Sequence, residues 1–187
     1  MKAHILAGLF ALLISANSVA NPSQNNFEQT YASCSAITSE YLTLIQLYQR
    51  GIQVDKALAN MPFQTAGSKA RVIELYALIS ELGVIDTYVQ VNTNFARCSR
   101  LVYETSGAPE KDTEEYAYYF CAGENKVRFE TILQVNQSYN LNKVLAATPD
   151  THMDVAISYF NLIHDKGILA AFDYTANNFK ACLKQVR

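Results

Sequence analysis

Apolar side chains recur at steps of three and four residues along most of this chain, which is the period of one face of an α-helix. The first such stretch runs from Tyr31 to Tyr48, and Gly51 is placed to end it. Its apolar positions are Ile37, Tyr41, Leu44, Ile45 and Tyr48. Alternating apolar and polar stretches are short, and Asn-Gly and Asp-Gly hairpin turns are absent. The pattern therefore predicts an all-α protein.

Three more helices are predicted in the first half of the chain. A short one covers Val54–Asn60, because Pro62 prevents its continuation. The next ends at Gly83, where a left-handed cap is expected, and the last continues to just beyond Cys98. The positions expected to face inward on these two long helices are Val72, Ile73, Leu75, Tyr76, Ile79 and Leu82, then Ile85, Tyr88, Val91 and Phe95.

The second half of the chain repeats this plan. Its predicted helices are Tyr118–Gln137, Leu141–Ala147, Thr151–Lys166 and Ile168–Lys184. Residues 34–62 match the residues 87 positions later at 6 of 29 places, and residues 72–102 match those 84 positions later at 8 of 31. Average residue usage would give roughly four such matches by chance. We therefore expect two duplicated four-helix units, each with one short helix, packed with pseudo-two-fold symmetry.

The first 20 residues have the pattern of a secretory signal peptide. A positively charged start precedes an apolar run over residues 5–14, which is too short to span a bilayer, and Ser18-Val19-Ala20 supplies the small residues needed for cleavage. No later segment is apolar enough to be a membrane span. The expected protein is exported, and is periplasmic or secreted after removal of the signal peptide.

Four cysteines occupy matching places in the two repeats, at 34 and 98 and at 121 and 182. Their spacing does not suit zinc, and cysteines in an exported chain are typical of disulfides. Three pairings are possible. If each unit descends from a copy that folded alone, the pairs are Cys34–Cys98 and Cys121–Cys182. Each bridge closes a loop long enough to contribute about 4 kcal/mol in the chain-entropy model.

Charge distinguishes one segment from the rest. The chain has 15 basic and 17 acidic side chains and a formal net charge of −2, which argues against nucleic acid as a partner. Residues 103–117 contain one lysine and five carboxylates. We interpret this segment as an acidic connector between helical repeat 1, residues 21–102, and helical repeat 2, residues 118–187.

Candidate catalytic groups are scarce. His164 precedes Asp165, but adjacent helical residues point in different directions, and a surface role is favoured. For His152 a structural role near a helix end is favoured. Glu114 and Glu115 lie in a charged segment where desolvation cannot separate their pKa values as acid–base catalysis requires. We therefore predict no catalytic site, no metal, no cofactor and no enzymatic activity.

The acidic connector is the expected partner-binding surface, because interfaces use aromatic side chains for energy and charge for steering. The four aromatic residues from Tyr116 to Phe120 cannot all face one core, so at least one tyrosine is expected to be exposed. The predicted partner-binding residues are Glu110, Asp112, Glu114, Glu115, Tyr116, Tyr118 and Tyr119, and the expected partner is a basic protein. In the competing interpretation these acids stabilise the start of the next helix, with Asp112 or Thr113 as its cap. A second candidate surface is the basic loop at residues 63–71.

These features favour a binding protein of the inhibitor or immunity type, which neutralises a toxin or enzyme that attacks the cell envelope. Three alternatives remain open. One is a small-molecule or lipid carrier with its pocket between the two units. The others are an envelope chaperone and a histidine-based enzyme.

Overall fold

The computed structural model describes residues 29–60 and 65–185, and within these ranges the chain is all-α, as predicted, with no strand. The predicted signal peptide lies outside them. The helices are α1 (Tyr31–Gln49), α2 (Val54–Ala59), α3 (Ala66–Leu82), α4 (Val84–Ser106), α5 (Glu114–Asn136), α6 (Leu141–Ala146), α7 (Met153–Lys166) and α8 (Ile168–Lys184), with a 3₁₀ turn at Asp150–His152 before α7. No helix in the described ranges is long and apolar enough to cross a membrane.

Short polar side chains set where several helices begin. Thr30, Thr65, Thr113 and Asn140 each accept a hydrogen bond from the backbone amide three residues further on. Such a cap satisfies one of the amides that the first turn of a helix leaves without a partner. The cap at Thr113 is one of the two that the sequence suggested.

Two predicted segments are more helical than expected. Helix α4 continues to Ser106 and α5 begins at Glu114, so only residues 107–113 of the predicted connector are non-helical. The predicted basic loop at 63–71 is helical from Ala66 onward, where Arg71 contacts Glu40 at 3.0 Å. Residues 63 and 64 lie outside the described ranges.

Gly83 and Gly167 each end one helix and begin the next. Both have φ 83° and ψ 167°. The positive φ was expected, but the predicted left-handed cap is wrong, since that conformation has ψ near +47°. This extended conformation with positive φ is essentially restricted to glycine. It joins α3 to α4, and α7 to α8, without an intervening loop.

Each half of the chain contains one disulfide, which connects two of its long helices. Cys34 on α1 is bonded to Cys98 on α4, and Cys121 on α5 is bonded to Cys182 on α8. This is the pairing that the duplication argument favoured. The half-cystines at 34 and 121 are 2% exposed, so the bridges belong to the core.

The two halves share one hydrophobic core, to which α1, α3, α4, α5, α7 and α8 all contribute. Aromatic rings from α4 and α8 meet at its centre. Tyr88 stacks on Phe172 with ring centroids 5.2 Å apart, and Phe95 contacts Phe179 at 4.9 Å. Each of these pairs joins residues 84 positions apart, which is an offset of the predicted sequence repeat.

Several apolar positions that the periodicity placed inside are exposed. They are Ile37, Ile73, Leu82 and Ile85, with exposed fractions between 37% and 54%. Each lies at the edge of its helix face, where no neighbouring helix covers it. Three- and four-residue spacing predicts which side chains share a face, but not how much of that face is buried.

A polar network crosses between the halves beside the stacked rings. The Tyr88 hydroxyl donates to Asp173 Oδ1 at 2.6 Å, and Gln49 Nε2 donates to the same oxygen at 3.1 Å. Gln46 Nε2 donates to Asn177 Oδ1 at 3.2 Å. Burial, together with the hydrogen bond to Asp173, raises the pKa of Tyr88 well above its usual value.

Replacing Gly83 or Gly167 by Ala should lower the free energy of unfolding by about 1–3 kcal/mol, because a side chain strains this backbone conformation. Urea unfolding followed by circular dichroism measures the loss. Gly123, in the interior of α5, is the matched control: a Cβ there meets nothing within 4 Å. Gly123→Ala should stabilise the protein by about 1 kcal/mol. Equal losses at Gly83 and Gly123 would contradict this account.

The raised pKa of Tyr88 predicts a loss of stability in alkali. Below pH 10, the ordinary pKa of tyrosine, the phenol is neutral in both states and its contribution to stability is complete. Above pH 10 the unfolded chain releases the proton and the folded chain does not, so the free energy of unfolding falls. Tyr88→Phe should reduce this slope in urea titrations at successive pH values.

Candidate functional site

The predicted partner-binding residues divide into an exposed group and a structural group. Glu110 and Asp112 lie exposed in the turn between α4 and α5, and Glu114 is exposed in the first turn of α5. The Tyr118 hydroxyl lies 3.4 Å from Glu114 Oε1, one helical turn away. The three exposed carboxylates are available to a partner.

Glu115 has a structural role. Its Oε1 accepts hydrogen bonds from the backbone amides of Tyr31 and Ala32, the second at 3.3 Å. These amides lie at the N-terminus of α1, where the helix leaves them without intrahelical partners and where its dipole favours negative charge. Glu115 therefore binds α5 to the start of α1. The competing interpretation, that the acids stabilise the start of a helix, applies to Glu115. The helix is α1, however, and not α5, which follows the connector.

The aromatic residues of the segment are arranged differently from the prediction. Tyr116, Tyr118 and Tyr119 are all partly buried, and the exposed ring is that of Phe120, at 53%. A second exposed ring, also at 53%, belongs to Tyr103 near the end of α4. The expectation of an exposed tyrosine among residues 116–119 is therefore wrong, because Tyr118 and Tyr119 pack against the core and Tyr116 contacts Tyr119.

Tyr31 holds this end of the molecule together. Its ring contacts Tyr119 edge-on at 5.1 Å, and its hydroxyl donates to the carbonyl of Gly107 at 3.2 Å. Burial raises the pKa of the Tyr31 phenol, and nearby Tyr119 and Tyr103 raise it further. The turn between α4 and α5 is thus fixed to α1 by one ring and one hydrogen bond.

A groove of about 870 Å³ runs between α4 and α5, and we call it the α4/α5 groove. Its two walls are formed by residues 92–103 of α4 and 119–129 of α5, and Tyr31 and His152 complete the lining. Phe95, Phe129 and Ala122 form a buried apolar floor. The exposed rings of Tyr103 and Phe120 stand at the end nearest the turn. Its size is in the usual range for small-molecule sites.

Two buried asparagines also line the groove. Asn92 and Asn125 are 1% and 2% exposed. Asn125 Nδ2 donates to Asn92 Oδ1 at 2.9 Å, and Asn92 Nδ2 donates to the carbonyl of Tyr88 at 2.9 Å. Asn125 Oδ1 has no hydrogen-bond partner in the described part of the chain. Buried polar atoms without partners are rare in folded proteins, which makes this oxygen a point of interest.

Basic side chains line the same groove. Within residues 29–60 and 65–185, Arg97 forms no ion pair, and Arg100 contacts Glu104 at 3.4 Å at an exposed position. Lys126 on the opposite wall contacts Glu130 at 3.1 Å, also in solvent. Exposed pairs of this kind contribute little to stability, so these cations remain available to a ligand.

The two histidines have different surroundings, and Thr151 Oγ1 lies 2.9 Å from His152 Nδ1. His152 Nε2 is 3.1 Å from Glu124 Oε1, and Arg128 contacts the other oxygen of Glu124 at 2.8 Å, so the imidazole closes a salt-bridged cluster. His164 is exposed and packs on Phe160. No group of three or more metal-binding side chains occurs in the described residues.

The groove was not found from the sequence, although a signal for it was present. At the aligned positions of the other repeat, Asn92 corresponds to Ala176 and Asn125 corresponds to Thr38. All four side chains are buried. The asparagines therefore occupy positions where burying a polar amide costs free energy. The change from Ala176 to Asn92, at a position buried in both halves, would have pointed to this face.

Comparison of the chain with protein-family models, curated proteins and solved structures found no match.

Glu115→Ala should lower the free energy of unfolding by about 1–2 kcal/mol, since it removes a charged acceptor from two helix-terminal amides. Glu115→Gln keeps an acceptor and should cost less. Glu114→Ala, next to it and exposed, should change stability by no more than about 0.5 kcal/mol. Urea unfolding of the three variants measures these values, and equal losses for Glu114→Ala and Glu115→Ala would contradict the capping role.

Proposed function

We propose that this protein is an exported, non-enzymatic binding protein that captures a basic protein through the end of the molecule where α4 turns into α5. The observation that carries the proposal is the pair of half-exposed rings, Tyr103 and Phe120, beside exposed carboxylates. We name this region the aromatic–acidic surface; its residues are Tyr103, Glu110, Asp112, Glu114, Tyr116 and Phe120.

The chemistry of this surface suits protein recognition. Aromatic anchors supply most of the binding energy at protein interfaces, and surrounding charge steers the encounter and selects the partner. Lys111 is the one basic residue within 107–114, which contains three carboxylates. The preferred partner therefore carries basic side chains around an apolar patch.

Export of the protein is supported by two features. The disulfides Cys34–Cys98 and Cys121–Cys182 are typical of an oxidising compartment. The N-terminal 20 residues have the pattern of a cleavable signal. An inhibitor or immunity protein that neutralises an envelope-targeting toxin or enzyme is the class of function that fits this location and this surface.

The proposal includes a duplicated scaffold, with two disulfide-linked units related by a pseudo-two-fold axis. Three observations support it. The bridges join corresponding helices, Gly83 and Gly167 share the same backbone angles, and the ring pairs at the core centre join positions one repeat offset apart. Such a scaffold leaves one copy free to diverge while the other preserves the core.

The test is capture of a partner from the periplasm or secretion fluid of the source organism with tagged, oxidised protein. Tyr103→Ser with Phe120→Ser should abolish capture of a basic protein. Ile73→Ser with Tyr174→Ser is the matched control, because these side chains are 54% and 51% exposed but lie on α3 and α8. The control variant should capture the partner as the wild type does.

The charged part of the surface needs a separate variant. Glu110→Lys, Asp112→Lys and Glu114→Lys together should lower the association rate about tenfold or more at low salt, with a smaller effect at high salt. Glu115 and Tyr119 are left unchanged, because they hold α1 in place. An acidic partner, or capture unaffected by both sets of changes, would show that the aromatic–acidic surface is not the binding site.

A further inference from the structure

The orientation of the two asparagine amides in the α4/α5 groove is fixed by their neighbours. Asn92 Nδ2 donates to the backbone carbonyl of Tyr88, which can only accept, so Asn92 must present its oxygen to Asn125. Asn125 therefore uses its NH₂ group for that contact and is left with an oxygen that accepts no hydrogen bond within the described chain. A group that satisfies this oxygen has to be a donor, such as a hydroxyl or an amide N–H.

Further along α4 the groove favours a hydrogen-bond acceptor on the ligand instead of a donor. Arg97 and Arg100 line the groove five and eight residues after Asn92, which is about 8 and 12 Å along the helix axis. Guanidinium groups are donors only and prefer carboxylate or phosphate partners. The nearest carboxylate on this wall, Glu104, is already in contact with Arg100 at 3.4 Å. An anionic group is the ligand chemistry that these arginines favour.

An apolar stretch separates the two polar points. Phe95 and Ala96 line it on α4, and Ala122 and Gly123 line it on α5. Gly123 lies in the interior of a 23-residue helix, where glycine is less favourable than alanine by about fivefold in equilibrium terms. A Cβ at this position meets nothing within 4 Å, so the fold itself does not require glycine there. A ligand lying close against the helix backbone would account for the glycine.

We infer that the α4/α5 groove binds a small amphipathic carboxylate whose apolar body lies across Gly123, with its anionic group at Arg97 and Arg100 and a hydroxyl or amide donor at Asn125. Asn125 Oδ1 is closed off from solvent, so the donor reaches it with a small movement of the side chains above it. This site is additional to the proposed protein-binding surface. The ligand lies along the groove, whereas the aromatic–acidic surface is at one end of it.

The test uses isothermal titration calorimetry with full-length mature protein freed of co-purifying lipid on a hydrophobic resin. The probe is 10-hydroxydecanoate, whose extended chain covers the distance between the two polar points. Decanoate lacks the hydroxyl, and decane-1,10-diol lacks the anionic group. The wild type should bind 10-hydroxydecanoate with one-to-one stoichiometry. Each of the other two compounds should bind several-fold more weakly, because each leaves one polar point unpaired.

Two variants locate the site without threatening the fold. Gly123→Leu fills the groove from an exposed helix position and should weaken binding of 10-hydroxydecanoate tenfold or more. Ala36→Leu is its matched control, because residue 36 is the aligned exposed position on α1 and should leave binding unchanged. Arg97→Glu with Arg100→Glu should weaken binding about tenfold and remove the advantage of 10-hydroxydecanoate over the diol.

Three results would overturn the inference: no saturable binding of 10-hydroxydecanoate, equal affinity for Gly123→Leu and wild type, or tighter binding of the diol than of the carboxylate. Equal binding of decanoate and 10-hydroxydecanoate would show that the ligand donates no hydrogen bond to Asn125. The protein-capture experiment is independent, because Gly123→Leu and the Arg97 and Arg100 changes leave Glu110, Asp112 and Glu114 intact. A wild-type protein that captures a basic protein but does not bind 10-hydroxydecanoate would refute this inference alone.

Discussion

The contact between α4 and α8 is the constraint on which the rest of the molecule depends. Tyr88 stacks on Phe172 and Phe95 packs on Phe179, and all four rings are buried. Each of the two helices is also bonded covalently to a second one, α4 to α1 and α8 to α5. Joining α4 to α8 therefore brings the four disulfide-linked helices together around a single core. It also fixes α4 beside α5, so the groove and the turn between them are consequences of the core.

Much of this fold could be predicted from the sequence, because glycines and prolines divide the helices clearly. The pattern placed the junctions at Gly83 and Gly167 correctly, and duplication indicated the disulfide pairing. The ends of α4 and α5 were less predictable, since Glu115 acquires its role only in the folded chain. The exposed positions of Ile37, Ile73 and Ile85 could not be foreseen either. Periodicity identifies one face of a helix, and only the neighbouring helices decide how much of it is buried.

The candidate site illustrates the same limit. Composition drew attention to the carboxylates of residues 110–115, and three of them are exposed as a partner would require. Glu115 differs because the backbone amides that donate to it, those of Tyr31 and Ala32, lie more than eighty residues earlier in the chain. No local pattern reveals such a contact. The asparagine pair is similar: Asn92 and Asn125 are 33 residues apart, and their shared hydrogen bond exists only because α4 and α5 are adjacent.

The proposed duplication gives a physical reason for the groove at this place. On the opposite side of the molecule α1 lies against α8, and there Lys180 reaches Gln46 while Gln46 also binds Asn177. Burial of Lys180 lowers its pKa, which is the electrostatic cost of closing that interface. At the aligned positions between α4 and α5, Lys180 is replaced by Ala96 and Gln46 by Leu133. Alanine cannot bridge the two helices, so the space that a long polar side chain fills on one side stays open on the other. A binding site can therefore arise in a duplicated scaffold by shortening side chains at one of two related interfaces, with the aromatic core left unchanged.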